Sequence, residues 1–147
     1  MDRHRAEAIV NACHEAWSLR DLDRMLRNYS PNFVYTCNTE GDGKEPTRFS
    51  GLDAYRGFLE PLLDLIESVS VVEGFQYHDN TARVSVGCYY KHYRTGLVMS
   101  GQFRQVFTFE GDLIVRIEEF HDAAKMATFW RLIGETEAAL APAGRNG

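Results

Sequence analysis

Two histidines and a carboxylate stand at the ends of two β-favouring runs. In the run from Leu113 to His121, strict alternation puts Val115, Ile117, Glu119 and His121 on one face; in the run from Thr81 to Tyr93 it groups Val84, Val86, Cys88, Tyr90 and His92. Along each face polar groups follow aliphatic ones. A cavity with an apolar narrow end and a polar mouth gives that pattern, since an unpartnered buried polar group costs roughly 2–7 kcal/mol. Imidazole, with an ordinary pKa of about 6.5, both gives and takes a proton near neutrality, and a carboxylate beside it, Glu119 or Asp122, would orient it or raise its pKa. The chemistry implied is acid–base proton transfer, with His121 as the first candidate. Other readings stay open. A histidine at a strand end also serves as a hydrogen-bonded rim residue, and His92 lies beside the turn Arg94-Thr95-Gly96, where exposure alone explains it. Asp122 stands where Ala123-Ala124-Lys125-Met126 needs an N-cap, a role worth about 1 kcal/mol without any catalysis.

His92, His121 and Glu119 have the atom types of zinc or iron ligands, but they come from different strands and their spacing supports no site. No metal and no cofactor are expected. Cys13, Cys37 and Cys88 are odd in number and far apart, which reads as free thiols in a reducing compartment. Gln102 and Arg104 share a strand face and offer further donors, on whichever side of the sheet that face lies.

The elements that position these residues follow from periodicity. Ile9, Val10, Cys13 and Trp17 form one helical stripe, and Leu22, Met25, Leu26 and Tyr29 a second. Phe33 to Cys37 is a short strand, and Asn38 to Arg48 has loop composition. Ser50 is expected to cap a third helix with the stripe Tyr55, Phe58, Leu59, Leu62, Leu63 and Ile66, which Pro61 should kink or split. From Ser68 the period becomes two: Val69, Val71, Phe75 and Tyr77 with a bulge or break near Gly74, then the Thr81 run, then Leu97 to Phe109, then Leu113 to His121 after the hairpin Glu110-Gly111-Asp112. A last helix carries Met126, Phe129, Trp130 and Ile133. Long strands joined by tight turns pair antiparallel, so the order implies an α+β domain in which helices cover one face of a curved sheet, leaving a concave cavity. The aromatic set Tyr55, Phe58, Phe75, Phe129 and Trp130 is core, or the wall of an apolar ligand site.

A chain of 147 residues with 16 basic and 21 acidic side chains, a formal charge of −5, is expected to be one globular domain over residues 1–140 with a frayed tail at 141–147. The acidic balance argues against nucleic acid and anionic ligands. No apolar run approaches the roughly 18 residues of a membrane span, and Met1-Asp2-Arg3-His4-Arg5 leads into a mixed helix, so a cytoplasmic location is expected.

Three stretches carry a family likeness: Ala16-Trp17-Ser18-Leu19-Arg20-Asp21-Leu22-Asp23 leading to Tyr29-Ser30-Pro31-Asn32-Phe33-Val34-Tyr35; Ser50-Gly51-Leu52-Asp53-Ala54-Tyr55; and Ile117-Glu118-Glu119-Phe120-His121-Asp122. Over roughly residues 6 to 135 the chain resembles the nuclear transport factor 2-like superfamily, and within it the SnoaL-like group related to ketosteroid isomerase and limonene epoxide hydrolase. The resemblance implies a curved antiparallel sheet wrapped around helices as a cone with an internal cavity, and commonly a homodimer. A fold shared by isomerases, cyclases, hydrolases, dehydratases and non-catalytic proteins does not choose among them. Asp122 matches the family's terminal acid. Tyr35 and Asn38 lie near the residues that hold the reacting water in the epoxide hydrolase branch, but Thr36-Cys37 separates them, and the Arg and Asp pair of that branch is replaced by Cys88-Tyr89-Tyr90-Lys91-His92, which disfavours epoxide hydrolysis. Trp17 takes the place of the first-helix Tyr of ketosteroid isomerase, and residues 97–109 contain no Asp, so that oxyanion arrangement does not carry over.

The expectation is a small-molecule enzyme performing isomerisation, cyclisation or dehydration on a mostly apolar or carbonyl-bearing ligand. His121, Asp122 and Glu119 are its catalytic candidates, and Tyr35, Asn38, Tyr55, Tyr90, His92 and Trp17 its ligand contacts. The alternative is a ligand-binding or dimerisation module of the same fold without catalysis.

Overall fold

A computed structural model describes residues 1–38 and 44–140. Helix α1 (Arg3–Ser18) is followed by a single turn α2 (Leu22–Met25) and a 3-10 turn, then by β1 (Tyr29–Cys37), β2 (Thr47–Ser50), α3 (Leu52–Leu65), β3 (Ile66–His78), β4 (Thr81–His92), β5 (Val98–Glu110), β6 (Leu113–Phe120) and α4 (Ala123–Ala139). The six strands form one sheet in the order β2-β1-β6-β5-β4-β3. The α+β class and the curved sheet are as expected. One ladder departs from the antiparallel rule: β1 and β6 run parallel, Tyr35 beside Ile117 and Cys37 beside Glu119. Everything between them in the chain serves as the crossover that a parallel pair requires.

Aspartates open three of the helices. Asp2, Asp21 and Asp122 each accept a hydrogen bond from the backbone N–H three residues on. Ser50 does not cap α3; it ends β2, and Gly51 turns the chain at φ 92°, a conformation that favours glycine. Pro61 sits inside α3 without splitting it. Its cost of about 3 kcal/mol is offset by burial of Tyr55, Leu59 and Leu63 on the sheet side, at roughly 1.5–3 kcal/mol each. Strand β2 begins at the end of the stretch of loop composition and runs past it to Ser50, held by its antiparallel pairing with β1 rather than by any periodicity. Residues 39–43 of that loop and the tail at 141–147 lie outside the described residues.

The phase of β3 is the main surprise. Pairing with β4 is interrupted between Val72 and Gly74, where a bulge inserts one extra residue. Beyond it Phe75 and Tyr77 pack on the core, but before it the inward side chains are Ile66, Ser68 and Ser70, while Val71 is 60% exposed. The valines that look like the core face are on the outside, and the serines are within.

The main core joins Ala6, Ile9, Val10 and Cys13 of α1 to Phe33, Val84, Val86, Phe107 and Ile117 of the sheet. A smaller cluster of Ile66, Met99, Met126, Phe129 and Ile133 seats α4 on the other end of the sheet. Cys13, Cys37 and Cys88 are all free thiols.

Candidate functional site

Between the sheet and the helices lies a cavity of about 680 Å³. Helix α1 contributes His14 and Trp17; α3 contributes Tyr55, Phe58, Leu59 and Leu62; α4 contributes Met126 and Trp130. From the sheet come Tyr35 and Cys37 of β1, Ser70 of β3, Tyr90 of β4, Phe103 and Gln105 of β5, and Glu119 of β6, with His121 just beyond it. Aromatic rings make much of the wall, Tyr35 lying 4.7 Å from Tyr55 and Phe49 4.5 Å from Phe58, centroid to centroid. Such a surface takes apolar or planar ligands, oriented by few polar groups.

Glu119 is the centre of those polar groups. Its Oε2 accepts from the Tyr35 hydroxyl at 2.9 Å and from His121 Nε2 at 3.0 Å, and its Oε1 accepts from Gln105 Nε2 at 2.8 Å. Burial alone would raise this carboxyl, but hydrogen bonds and charge from His121, with the bonds from Gln105 and Tyr35, prevail and lower it. Burial likewise works against a charged imidazole at His121. Hydrogen bonds to Cys37 and Glu119, and the negative charge of Glu119, outweigh it and raise the pKa from 6.5 to about 9. Glu119 and His121 are therefore an ion pair at neutral pH. The Phe103 ring stacks on the imidazole at 4.2 Å, and Asn38 grips the His121 backbone from both sides, donating to its carbonyl at 3.0 Å and accepting from its N–H at 2.8 Å.

A second histidine adjoins this pair. His14 Nε2 lies 2.7 Å from Gln105 Oε1, and its Nδ1 lies 2.7 Å from the Ser70 hydroxyl. Burial lowers its pKa against the opposing influence of Gln105 and Glu119, so this imidazole is neutral at pH 7. Trp17 donates its indole N–H to Ser68 at 2.7 Å. The phenols of Tyr29, Tyr35, Tyr55 and Tyr90 are all pushed well above their ordinary range by burial, and remain donors.

Six sequence-derived candidates thus meet at the cavity: Glu119, His121, Tyr35, Tyr55, Tyr90 and Trp17. Three do not. Asp122 is exposed and caps α4 through the Lys125 N–H, because the chain turns into the helix there and carries its side chain outward. Asn38 spends its amide on the His121 backbone. His92 is 1% exposed, closed in by Thr95 at 2.9 Å and Glu137 at 2.7 Å, where it ties α4 to the end of β4 instead of facing the cavity. Gln102 and Arg104 are exposed, Gln102 donating to Glu73 across the outer surface. Sequence reasoning missed His14, Ser70 and Gln105. Two of them carried a signal: His14 falls between Val10 and Trp17 on the apolar stripe of α1, and Gln105 is the one polar residue on the aromatic face Phe103, Phe107 and Phe109.

Cys37, Glu119 and His121 offer ligand atoms within 4.8 Å of one another, a thiol, carboxylate and imidazole set of the kind that holds zinc. Each already has a protein partner in the network, and nothing below is routed through a metal. Among the described residues no helix is long and apolar enough to cross a membrane.

Comparison with solved structures places the fold. An NTF2-like protein of unknown function from Burkholderia pseudomallei superposes with a TM-score of 0.74 at 21% identity, covering 87% of this chain and 97% of its own. TerC, co-crystallised with polyporic acid, gives 0.71 at 18% identity over 88% and 98% of the two chains. An LEH-like epoxide hydrolase from M. tuberculosis gives 0.70 at 14% identity over 94% and 98%. At these identities the likeness is one of fold alone. The SnoaL-like domain model matches residues 10–117, and the chain belongs to the SnoaL-like family. No curated protein matches it.

Proposed function

We propose that this SnoaL-like domain moves protons on a mostly apolar, carbonyl-bearing small molecule held in the cone cavity, with His121 as the proton-transfer group. The observation that carries the reading is the Glu119–His121 ion pair, which keeps a protonated imidazole at an aromatic-walled cavity at neutral pH. An imidazolium has two N–H groups. Glu119 takes one, and a ligand oxygen that displaces the Cys37 sulfur takes the other, which then stabilises the charge that develops on a carbonyl as it enolises. Glu119 orients the ring and balances its charge, and Tyr35 holds Glu119 in place. Isomerisation, cyclisation and dehydration of carbonyl compounds share this enolisation step. That TerC was crystallised with polyporic acid is consistent with a planar oxygenated ligand in a cavity of this fold.

Enolisation is measured as solvent deuterium entering the carbon beside a carbonyl, with 2-tetralone as the probe and quenching of Trp fluorescence as the binding readout, Trp17 and Trp130 both lining the cavity. The wild type is expected to accelerate exchange, and His121→Gln to lower it by roughly 100-fold or more with binding retained. Equal exchange in wild type and variant overturns the reading. A second reading has its own support: among the described residues every buried side-chain polar atom has a partner, as in a sealed network. A ligand-binding module without catalysis would bind 2-tetralone and exchange nothing.

The outer sheet face supports a further proposal, that a second copy of the chain packs there. Val71 and Phe120 stand 60% and 49% exposed on β3 and β6, large apolar side chains of the kind that mark an interface. The free thiols fit a reducing compartment and support a cytoplasmic location.

A further inference from the structure

The directions of the hydrogen bonds around Glu119 determine what His14 does. An ionised carboxylate only accepts. The side-chain nitrogen of Gln105 must therefore face Glu119, as the 2.8 Å contact has it, which turns the Gln105 oxygen toward His14. That oxygen can only accept, so the proton of the neutral imidazole sits on Nε2. Nδ1 is left as an acceptor, and the group 2.7 Å from it is the Ser70 hydroxyl, which must donate. Every proton in the chain Ser70, His14, Gln105, Glu119 then points toward the carboxylate. Ser70 Oγ is left with its lone pairs free at the cavity wall. A hydroxyl that donates to an oriented, neutral imidazole is the arrangement that makes an oxygen basic.

We propose that Ser70 and His14 form a second proton-transfer centre of this cavity, the base that removes a proton from the carbon beside the carbonyl of an enolisable ketone. This rests on the reading of His121 above and completes it. The ligand C–H proton passes to Ser70 Oγ as the Ser70 proton passes to His14 Nδ1; the C–H electron pair becomes the C=C bond of the enol, and the carbonyl oxygen takes a proton from His121. His14 gains a proton and His121 loses one, so the charge of protein and ligand together is unchanged and no oxidant or reductant is needed. Collapse of the enol with the proton returned at another carbon is an isomerisation. Environments that push two imidazoles in opposite directions mark an acid and a base. The charged group facing His14 is Glu119, reached from β6 through Gln105 of β5; Ser70 faces it from β3.

The first test needs no substrate. In protein labelled with 15N at its five histidines, His14 should titrate below the ordinary imidazole range and, at pH 7, show the single neutral form protonated at Nε2. Gln105→Met, which removes the acceptor, should abolish that preference. A charged His14 at pH 7, or protonation at Nδ1, overturns the inference. The second test is deuterium exchange into 2-tetralone. His14→Gln is expected to slow it roughly 100-fold with binding retained, and Ser70→Ala to slow it less. Exchange lost in His121→Gln but unchanged in His14→Gln overturns the Ser70–His14 base and leaves the role of His121 standing. Loss in His14→Gln alone overturns the role of His121. No exchange by the wild type at the solubility limit of 2-tetralone overturns both. Should His14→Gln fail to fold, the nitrogen spectrum of the wild type still decides.

Discussion

Stability against pH gives the most direct test of the buried ion pair. His121 is 5% exposed at its side chain, and its pKa stands at about 9 against an ordinary 6.5. The folded protein binds this proton more tightly than the unfolded chain, so the resulting stability is complete below about pH 6.5 and is lost as the pH rises through about 9. The span between those values, at about 1.4 kcal/mol for each tenfold in proton affinity, amounts to about 3 kcal/mol. Glu119 acts at the other end. Its lowered carboxyl contributes in full above its ordinary value of 4.5 and loses that contribution as the pH falls from there through the lowered value. The pair therefore stabilises the fold in full between about pH 4.5 and about pH 6.5, and its contribution declines up to about pH 9 on the alkaline side and below 4.5 on the acid side. Urea unfolding of the wild type and His121→Gln from about pH 6 to about pH 10 measures it. Other groups titrate in both proteins, so the quantity of interest is the difference between the two curves, expected to shrink by about 3 kcal/mol toward the alkaline end. In Glu119→Gln, where the carboxylate's charge is gone and only Cys37 still opposes burial, His121 should titrate below about 9. Parallel unfolding curves, or a His121 resonance that still titrates near 9 in Glu119→Gln, would refute the pairing.

Two further outcomes are expected. Asp122→Ala should lower stability by about 1 kcal/mol through loss of the cap on α4 and leave deuterium exchange unchanged; a loss of exchange without a loss of stability would return Asp122 to the chemistry. Val71→Glu, which places a charge on the outer face of β3, should convert a dimer to a monomer by light scattering without shifting the binding of 2-tetralone, and an unchanged mass would move the interface elsewhere or remove it.

Glu119 and His121 were legible because residues 117–121 alternate without interruption; that the parallel partner β1 brings Tyr35 and Cys37 alongside them was not. Of the aromatic set expected as core or wall, Tyr55, Phe58 and Trp130 line the cavity, while Phe75 and Phe129 pack in the core. Ser70 was not legible: a bulge or break near Gly74 was expected, but valines flanking a serine look like a core face until the extra residue is counted into the phase. His14 was hidden among apolar neighbours whose own pattern sufficed to define the helix. His92 was misplaced for a different reason: alternation gives the correct face of β4, but its far end is covered by α4, and Glu137, 45 residues later, takes the imidazole. Strand β2 exists only through its pairing with β1, which no periodicity in four residues reveals.

The bulge in β3 has a consequence for how such a cavity could change over evolutionary time. Because one inserted residue reverses the phase of everything before it, its loss would turn Ser68 and Ser70 outward and Val69 and Val71 inward together. Trp17 would lose its acceptor and His14 its hydroxyl in the same event. The polar wall opposite Glu119 is thus inherited as one unit. A single deletion converts it to an aliphatic wall, a step that point substitution would reach only through intermediates with one half of the network unpartnered.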